Sequence, residues 1–461
     1  MLFSSVPFLF YFLPAVLLLY FLSPKALRNT VLLCASLFFY FWGEPKYLIL
    51  MVASILVGYV FGILIDRCKH KRLMLTLGIV CCLASLLYFK YADFFIANLN
   101  RLTGASLALL KIALPIGISF YTFQILSYLV DVYRGDAPAQ YNPIKLATYV
   151  ALFPQLIAGP IVRYTTVAAE LDERKTTVQD FSEGAFRFIT GLAKKVLIAN
   201  VLFELCEIFR ASTEQSVLFY WMYAAAFTLQ IYFDFSGYSD MAIGLGRIFG
   251  FHFNENFDYP YISVSVTEFW RRWHMSLGQW FRDYVYIPLG GNRCGQARWF
   301  LNILIVWLLT GFWHGADWNF IIWGLYFAVW LVLEKLFLLR LYEKLPRIFR
   351  RVFVLFLVLV SFVIFNANGM AGALSDLAGM FGAKDIPLWT PETLYYLRSF
   401  AVIFVLAVLG ATPFVKKCAQ RLYGGNAFSG ALRAVCAFAL LILISAYLVD
   451  GSFNPFLYFR F

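Results

Sequence analysis

Charge is scarce in this chain. Asp, Glu, Lys and Arg together make up 14% of 461 residues, and histidine occurs 4 times. A water-facing globular domain usually carries about 25% charged residues, so that class is excluded. Hydrophobic residues reach 62% and the mean hydropathy is +0.74, more apolar surface than a soluble core can bury. Alternation of apolar and polar residues is missing too. The apolar segments are continuous, which excludes a membrane β-barrel. The 8 cysteines show neither metal-ligand spacing nor a disulfide framework. Cys34, Cys81, Cys82, Cys206 and Cys436 lie in apolar runs, where cysteine acts as a small hydrophobe. Acidic residues are the scarcer sign, 26 against 38 basic, for a net charge of +12. The basic residues cluster in short loops, the positive-inside pattern, so no nucleic-acid partner is expected. Serine-hydrolase and P-loop motifs are absent.

What is present is a series of apolar runs. They cover 7–22, 30–43, 46–66, 73–92, 112–132, 145–162, 184–204, 216–234, 299–313, 318–339, 352–366, 394–414 and 431–449. This predicts an all-α, polytopic integral membrane protein with roughly 10–13 membrane helices, half-spans included. The first 24 residues carry no charge, and Lys25 follows the first apolar run instead of preceding it. A secretory signal has the opposite order. The expectation is an uncleaved first span with Lys25 and Arg28 inside. The basic stretches Asp66–Arg72, Arg340–Arg351 and Lys416, Lys417, Arg421 are then cytoplasmic, and the C-terminus is outside. The largest external loops are 91–111 and 367–393. No repeat or soluble domain interrupts the chain, so 1–461 reads as a single membrane domain.

Residues 235–298 break the pattern. They are rich in Gly, Asp, Asn, Arg and aromatics, yet too apolar for a solvated loop. Ser265-Val-Thr-Glu268 has the spacing of a capping box. Glu268 and Arg272 fall at i, i+4 in the favourable order. One helix is expected from there, with Trp270, Trp273, Leu277, Phe281 and Tyr284 near one face and Arg271 next to His274. Pro288-Leu-Gly-Gly-Asn-Arg293 ends it. Such a helix lies in the membrane interface or re-enters it. Polar backbone at membrane depth must be buried or line a cavity, so 235–318 is expected to wall an internal tunnel.

Two histidines stand in this region, His274 and His314. An ionisable group at membrane depth points to a functional site. An imidazole titrates near ~6.5 and can take a proton from a hydroxyl. Acyl transfer from a thioester to an alcohol needs that base and a donor for the oxyanion, which a buried Trp, Tyr, Asn or the second histidine can supply. Arg271, Arg272, Arg282 and Arg293 are candidates to hold donor phosphates. The alternative for each arginine is a headgroup or carboxylate contact, and for each histidine an ordinary hydrogen bond to a neighbouring helix.

Several longer segments carry a resemblance. They are Phe41-Trp-Gly-Glu-Pro-Lys-Tyr47, Leu114-Pro-Ile-Gly-Ile-Ser-Phe-Tyr-Thr-Phe-Gln124, Phe153-Pro-Gln-Leu-Ile-Ala-Gly-Pro160, Gln230-Ile-Tyr-Phe-Asp-Phe-Ser-Gly-Tyr-Ser-Asp240, Asn256-Phe-Asp-Tyr-Pro-Tyr261, Thr267 to Arg282, Tyr286 to Arg293, Leu309 to Asn319 and Asn454 to Phe461. With these the chain resembles the membrane-bound O-acyltransferases, in their alginate O-acetyltransferase branch. The segment 114–319 holds the family core. Asn254 stands where that branch has proline, and His252 beside it is incidental.

The resemblance implies His314, in Trp-His-Gly, as general base or transient acyl carrier, with His274 as the second catalytic histidine. Arg271, Arg272, Arg282, Trp273, Trp313 and Asn319 are the expected substrate-binding residues. No metal and no bound cofactor is implied; acetyl-CoA on the cytoplasmic side is the expected acyl donor. The acyl group passes to an extracytoplasmic polysaccharide or peptidoglycan through an external acyltransferase or esterase-like partner. The location implied is the bacterial inner membrane. Two rival readings remain at this point: D-alanyl transfer to teichoic acid from a carrier-protein thioester, and a membrane transporter. The second would more often show repeat symmetry.

Overall fold

A computed structural model describes residues 1–422 and 427–450, so the resembling terminal segment from Asn454 to Phe461 lies outside the described residues. Among those described, regular structure is helical throughout and no strand occurs. Six helices are long and apolar enough to cross a membrane: Lys25–Gly43, Leu48–Arg67, Lys71–Thr103, Trp318–Glu343, Arg347–Asn366 and Ser429–Asp450. Pro391–Ser399 and Ala401–Gly410 form a pair bent by 51°, a further span if taken together. Phe8–Leu22 is a shorter apolar helix. The chain is an all-helical, multi-pass membrane protein.

Three expectations about local structure are corrected. The run 145–162 is not one helix. Pro143–Ala151 ends before a single turn at Phe153–Leu156, and no helix follows until Tyr164. Proline offers no backbone N–H and clashes with the preceding turn, and Pro154 and Pro160 bracket this break. By contrast, the helix expected to end at 234 runs from Val217 to Ile248. Its Gly237, Gly244 and Gly246 lie at close approaches, and its Asp234 and Asp240 form ion pairs, so none of them makes a turn.

The chain divides into two compact units, Met1–Phe188 with Tyr238–Glu255, and Ile189–Gly237 with Asn256–Phe461. In the first, Gly184 and Gly244 meet so closely that a Cβ on either lies 2.6 Å from the other's carbonyl oxygen. Arg187 pairs there with Asp240 at 2.8 Å and with Glu255.

The second unit holds both histidines. Its core packs Phe227, Phe269, Trp323, Phe327, Phe362 and Phe365 against one another. The helices Gln296–His314 and Trp318–Leu333 form a tight antiparallel hairpin. A Cβ on Gly311 lies 2.3 Å from the Phe320 carbonyl oxygen, and one on Gly324 lies 2.3 Å from that of Trp307. No side chain fits at either crossing. Asp317 starts the second helix by accepting from the Trp318 N–H.

The helix expected to open at Ser265 and to end at Pro288 is broken. Val266–Arg272 stops at Trp273, and Met275–Phe281 starts after His274. His274 has φ 44° and ψ 53°, the left-handed region that costs a non-glycine residue about 1–2 kcal/mol. The start of the first piece is close to expectation. Ser265 Oγ accepts from the Glu268 N–H at 2.9 Å, and Arg272 pairs with Glu268 at 3.0 Å. Glu268 itself reaches the Val264 N–H at 3.0 Å. Glu334, fully buried, takes the N–H groups of Val266 and Thr267 and the Thr267 hydroxyl. That carboxylate at a helix N-terminus complements the helix dipole and fixes the first piece against the Trp318–Glu343 span.

Candidate functional site

His314 ends its helix at the turn of the hairpin, 6% exposed. Three rings stand edge to face with its imidazole: Trp313 at 5.0 Å, Trp323 at 5.2 Å and Phe365 at 5.2 Å between centroids. The second wall behind them is also aromatic. Trp270 packs on Trp323 at 5.5 Å and on Trp307 at 4.7 Å. Trp323 is 1% exposed, and its indole nitrogen has no hydrogen-bond partner among the described residues. A buried N–H left unmade costs about 1–3 kcal/mol, so a donor here invites a partner from outside the chain.

His274 is 2% exposed and meets the other face of the arrangement, 5.9 Å from Trp313 and 4.7 Å from Phe235. Trp313 therefore touches both imidazoles. Asn256 organises the break that carries His274. Its carbonyl accepts from the Met275 N–H at 3.0 Å. Its Oδ1 accepts from the Ser276 N–H at 3.2 Å and the Ser276 hydroxyl at 2.9 Å, and lies 3.2 Å from His274 Nδ1.

This network sets the tautomer. A backbone N–H can only donate, so the Asn256 atom facing it is the amide oxygen, and the imidazole nitrogen on that oxygen carries its proton. Nε2 then holds the lone pair, buried and without a partner among the described residues. His274 lies between helices, outside the apolar spans, and burial pushes its pKa down to about 3. It is a neutral hydrogen-bond acceptor at any working pH.

The other expected residues are placed unevenly. Trp273 is buried in the core, stacked on Phe269 at 5.7 Å and edge-on to Phe257 at 5.1 Å. Arg272 pairs with Asp258 at 2.8 Å as well as Glu268, so its guanidinium braces the broken helix. Arg282 is exposed and pairs with neighbouring Asp283 at 2.7 Å. Arg271 and Arg293 are exposed. Asn319 is 1% exposed, and its Nδ2 donates to the carbonyls of Phe365 at 3.2 Å and Ala367 at 3.1 Å, at the end of Arg347–Asn366. It holds Phe365 in place beside His314. The structure thus brings His274, Trp313 and His314 together, with Asn319 one residue removed. The four candidate arginines, by contrast, pair with carboxylates or stand exposed.

Sequence reasoning missed Asn256, Trp323, Phe365 and a buried ion pair, Lys195 with Asp234 at 2.6 Å, 2% and 1% exposed. The pair carried a signal, since both are ionisable residues in apolar helices. Phe235, next to Asp234, is the ring on His274.

The profile of MBOAT, the membrane-bound O-acyltransferase family, matches residues 106–375. The chain is 42% identical to the probable alginate O-acetylase AlgI of Azotobacter vinelandii, over 100% of both chains. It is 32% identical to the peptidoglycan O-acetyltransferase of Helicobacter pylori, over 100% of this chain and 98% of that one. With the teichoic acid D-alanyltransferase of Bacillus subtilis it shares 29% identity over 48% of its own length and 59% of the other's.

Proposed function

This chain belongs to the membrane-bound O-acyltransferase family, and we propose that it takes acetyl from cytoplasmic acetyl-CoA and passes it across the bacterial inner membrane for O-acetylation of a polysaccharide or peptidoglycan. That it is an O-acyltransferase follows from the family. The choice of acetyl rests on coverage: the acetylases match along the whole chain, the D-alanyltransferase along half. The observation that carries the chemistry is the pair of buried imidazoles on Trp313, one with its lone pair fixed by Asn256.

In this reading His314 takes the proton as an acceptor hydroxyl attacks the thioester carbonyl. The C–O bond forms and the carbonyl electrons move to oxygen. The Trp323 N–H holds that oxyanion. The C–S bond then breaks, the carbonyl re-forms, and the imidazolium returns its proton to the leaving thiolate. His274 Nε2 accepts from an amide N–H of the donor's pantetheine arm and so orients the thioester. Trp323→Phe keeps a six-membered aromatic ring, loses the pyrrole ring and removes the donor. Its kcat should fall by about 10²-fold with KM little changed, because the hydrogen bond strengthens only in the transition state. An unchanged kcat with lower thermal stability would make Trp323 a packing residue only.

The longest external loops expected from sequence, 91–111 and 367–393, offer little room for a polymer groove, and 369–380 is taken up by the helix Gly369–Met380. We therefore assign final transfer to an external partner. Proteoliposomes holding this chain alone, given labelled acetyl-CoA and either alginate or peptidoglycan, should yield little acetylated polymer; adding an extracytoplasmic membrane extract should raise the yield. Efficient labelling by the chain alone would overturn the partner. Consumption of D-alanyl carrier-protein thioester but not of acetyl-CoA would overturn the donor.

A further inference from the structure

The nine-residue helix Phe414–Leu422, in the second unit, has its two sides sorted completely. At 100° per residue, Phe414, Val415, Cys418, Ala419 and Leu422 fall in an arc of about 140°, while Lys416, Lys417, Gln420 and Arg421 fill the opposite one. In a globular setting that apolar arc would face a core. Here Phe414 is 57% exposed, Val415 51% and Leu422 64%. Among the described residues, little covers these three side chains.

Position and charge say what does. The helix follows the apolar Ala401–Gly410 and precedes the apolar span Ser429–Asp450, only 6% of whose most apolar window is buried in protein. A short helix between two lipid-facing ones sits at a membrane boundary, where an amphipathic helix lies flat with its apolar side among the acyl chains. No Asp or Glu occurs from Ala401 to Val449, so the three cations of this helix have no acidic neighbour in sequence. Basic residues beside a span mark the cytoplasmic leaflet, whose anionic lipids attract them.

We propose that Phe414–Leu422 is an anionic-phospholipid docking surface, inserted in the cytoplasmic interface by Phe414, Val415 and Leu422 and clamped to phosphate headgroups by Lys416, Lys417 and Arg421. Each cation strengthens seating about fivefold, on the order of a hundredfold for three. The full chain is placed in nanodiscs of phosphatidylcholine with or without phosphatidylglycerol, and hydrogen exchange is read at the amides of 414–422. Exchange should slow by one to two orders of magnitude with phosphatidylglycerol, and the variant K416Q/K417Q/R421Q should lose that dependence. Equal exchange in both lipids overturns the proposal, whether or not the triple variant can be made. Slowing by free coenzyme A in phosphatidylcholine alone would also overturn it, making the cations a site for donor phosphates.

Discussion

His314→Ala should leave the chain in the membrane and lower acyl transfer by about 10³-fold or more, the scale of a lost general base together with lost positioning. The substitution also empties a box of three rings, Trp313, Trp323 and Phe365. A cavity of that kind costs about 2–4 kcal/mol, so alanine alone confounds chemistry with packing. His314→Phe separates them, since a phenyl ring fills the same space without a lone pair. Both variants should be inactive with labelled acetyl-CoA, while His314→Phe unfolds at nearly the wild-type temperature. Near-normal turnover by a well-folded His314→Phe would remove His314 from the mechanism.

The second large effect is a pH dependence that the wild-type protein lacks. His274 is neutral because burial holds its pKa at about 3, so its Nε2 accepts at any working pH. Asn256→Asp retains an oxygen for Ser276 and sets a carboxylate 3.2 Å from Nδ1. An adjacent anion favours imidazolium and raises the pKa by about 1–3 units, to about 4–6. Above that value the variant should bind donor nearly normally. As pH falls through it, Nε2 gains a proton, stops accepting, and KM for acetyl-CoA should rise by about tenfold per pH unit while kcat changes less. His274→Ala should show the loss at every pH, on the order of 10²-fold in kcat/KM. Superimposable profiles for Asn256→Asp and the wild-type protein would mean that His274 does not meet the donor.

Much of the fold was readable because a bilayer leaves little choice: runs such as 46–66 and 352–366 must be helical to satisfy their own backbone. The break at His274 was not readable. Its left-handed backbone is held by Asn256, a contact between segments, and the local signals from Ser265 to Arg272 all favour one continuous helix. The stretch 145–162 misled because its apolar composition outweighed Pro154 and Pro160. At the site, His314 announced itself as an imidazole in an apolar run. Trp323 and Phe365 did not, since an aromatic in such a run reads as core until a histidine is found between them. Arg272 carried two signals: its charge suggested a ligand, and its i, i+4 spacing from Glu268 the ion pair that is found.

The glycine crossing between Gln296–His314 and Trp318–Leu333 has a kinematic consequence. With each backbone seated on the other at Gly311 and Gly324, sliding one helix by a turn would drive a Cβ-bearing neighbour into the contact, and tilting would open a void at the base of the ring box. The hairpin behaves as one stiff strut. A carrier that rocks between two faces needs an element able to shear near its site; this strut has no such freedom. In the proposed reaction it is a fixed wall, and acyl transfer beside His314 should proceed without a hinge in this hairpin.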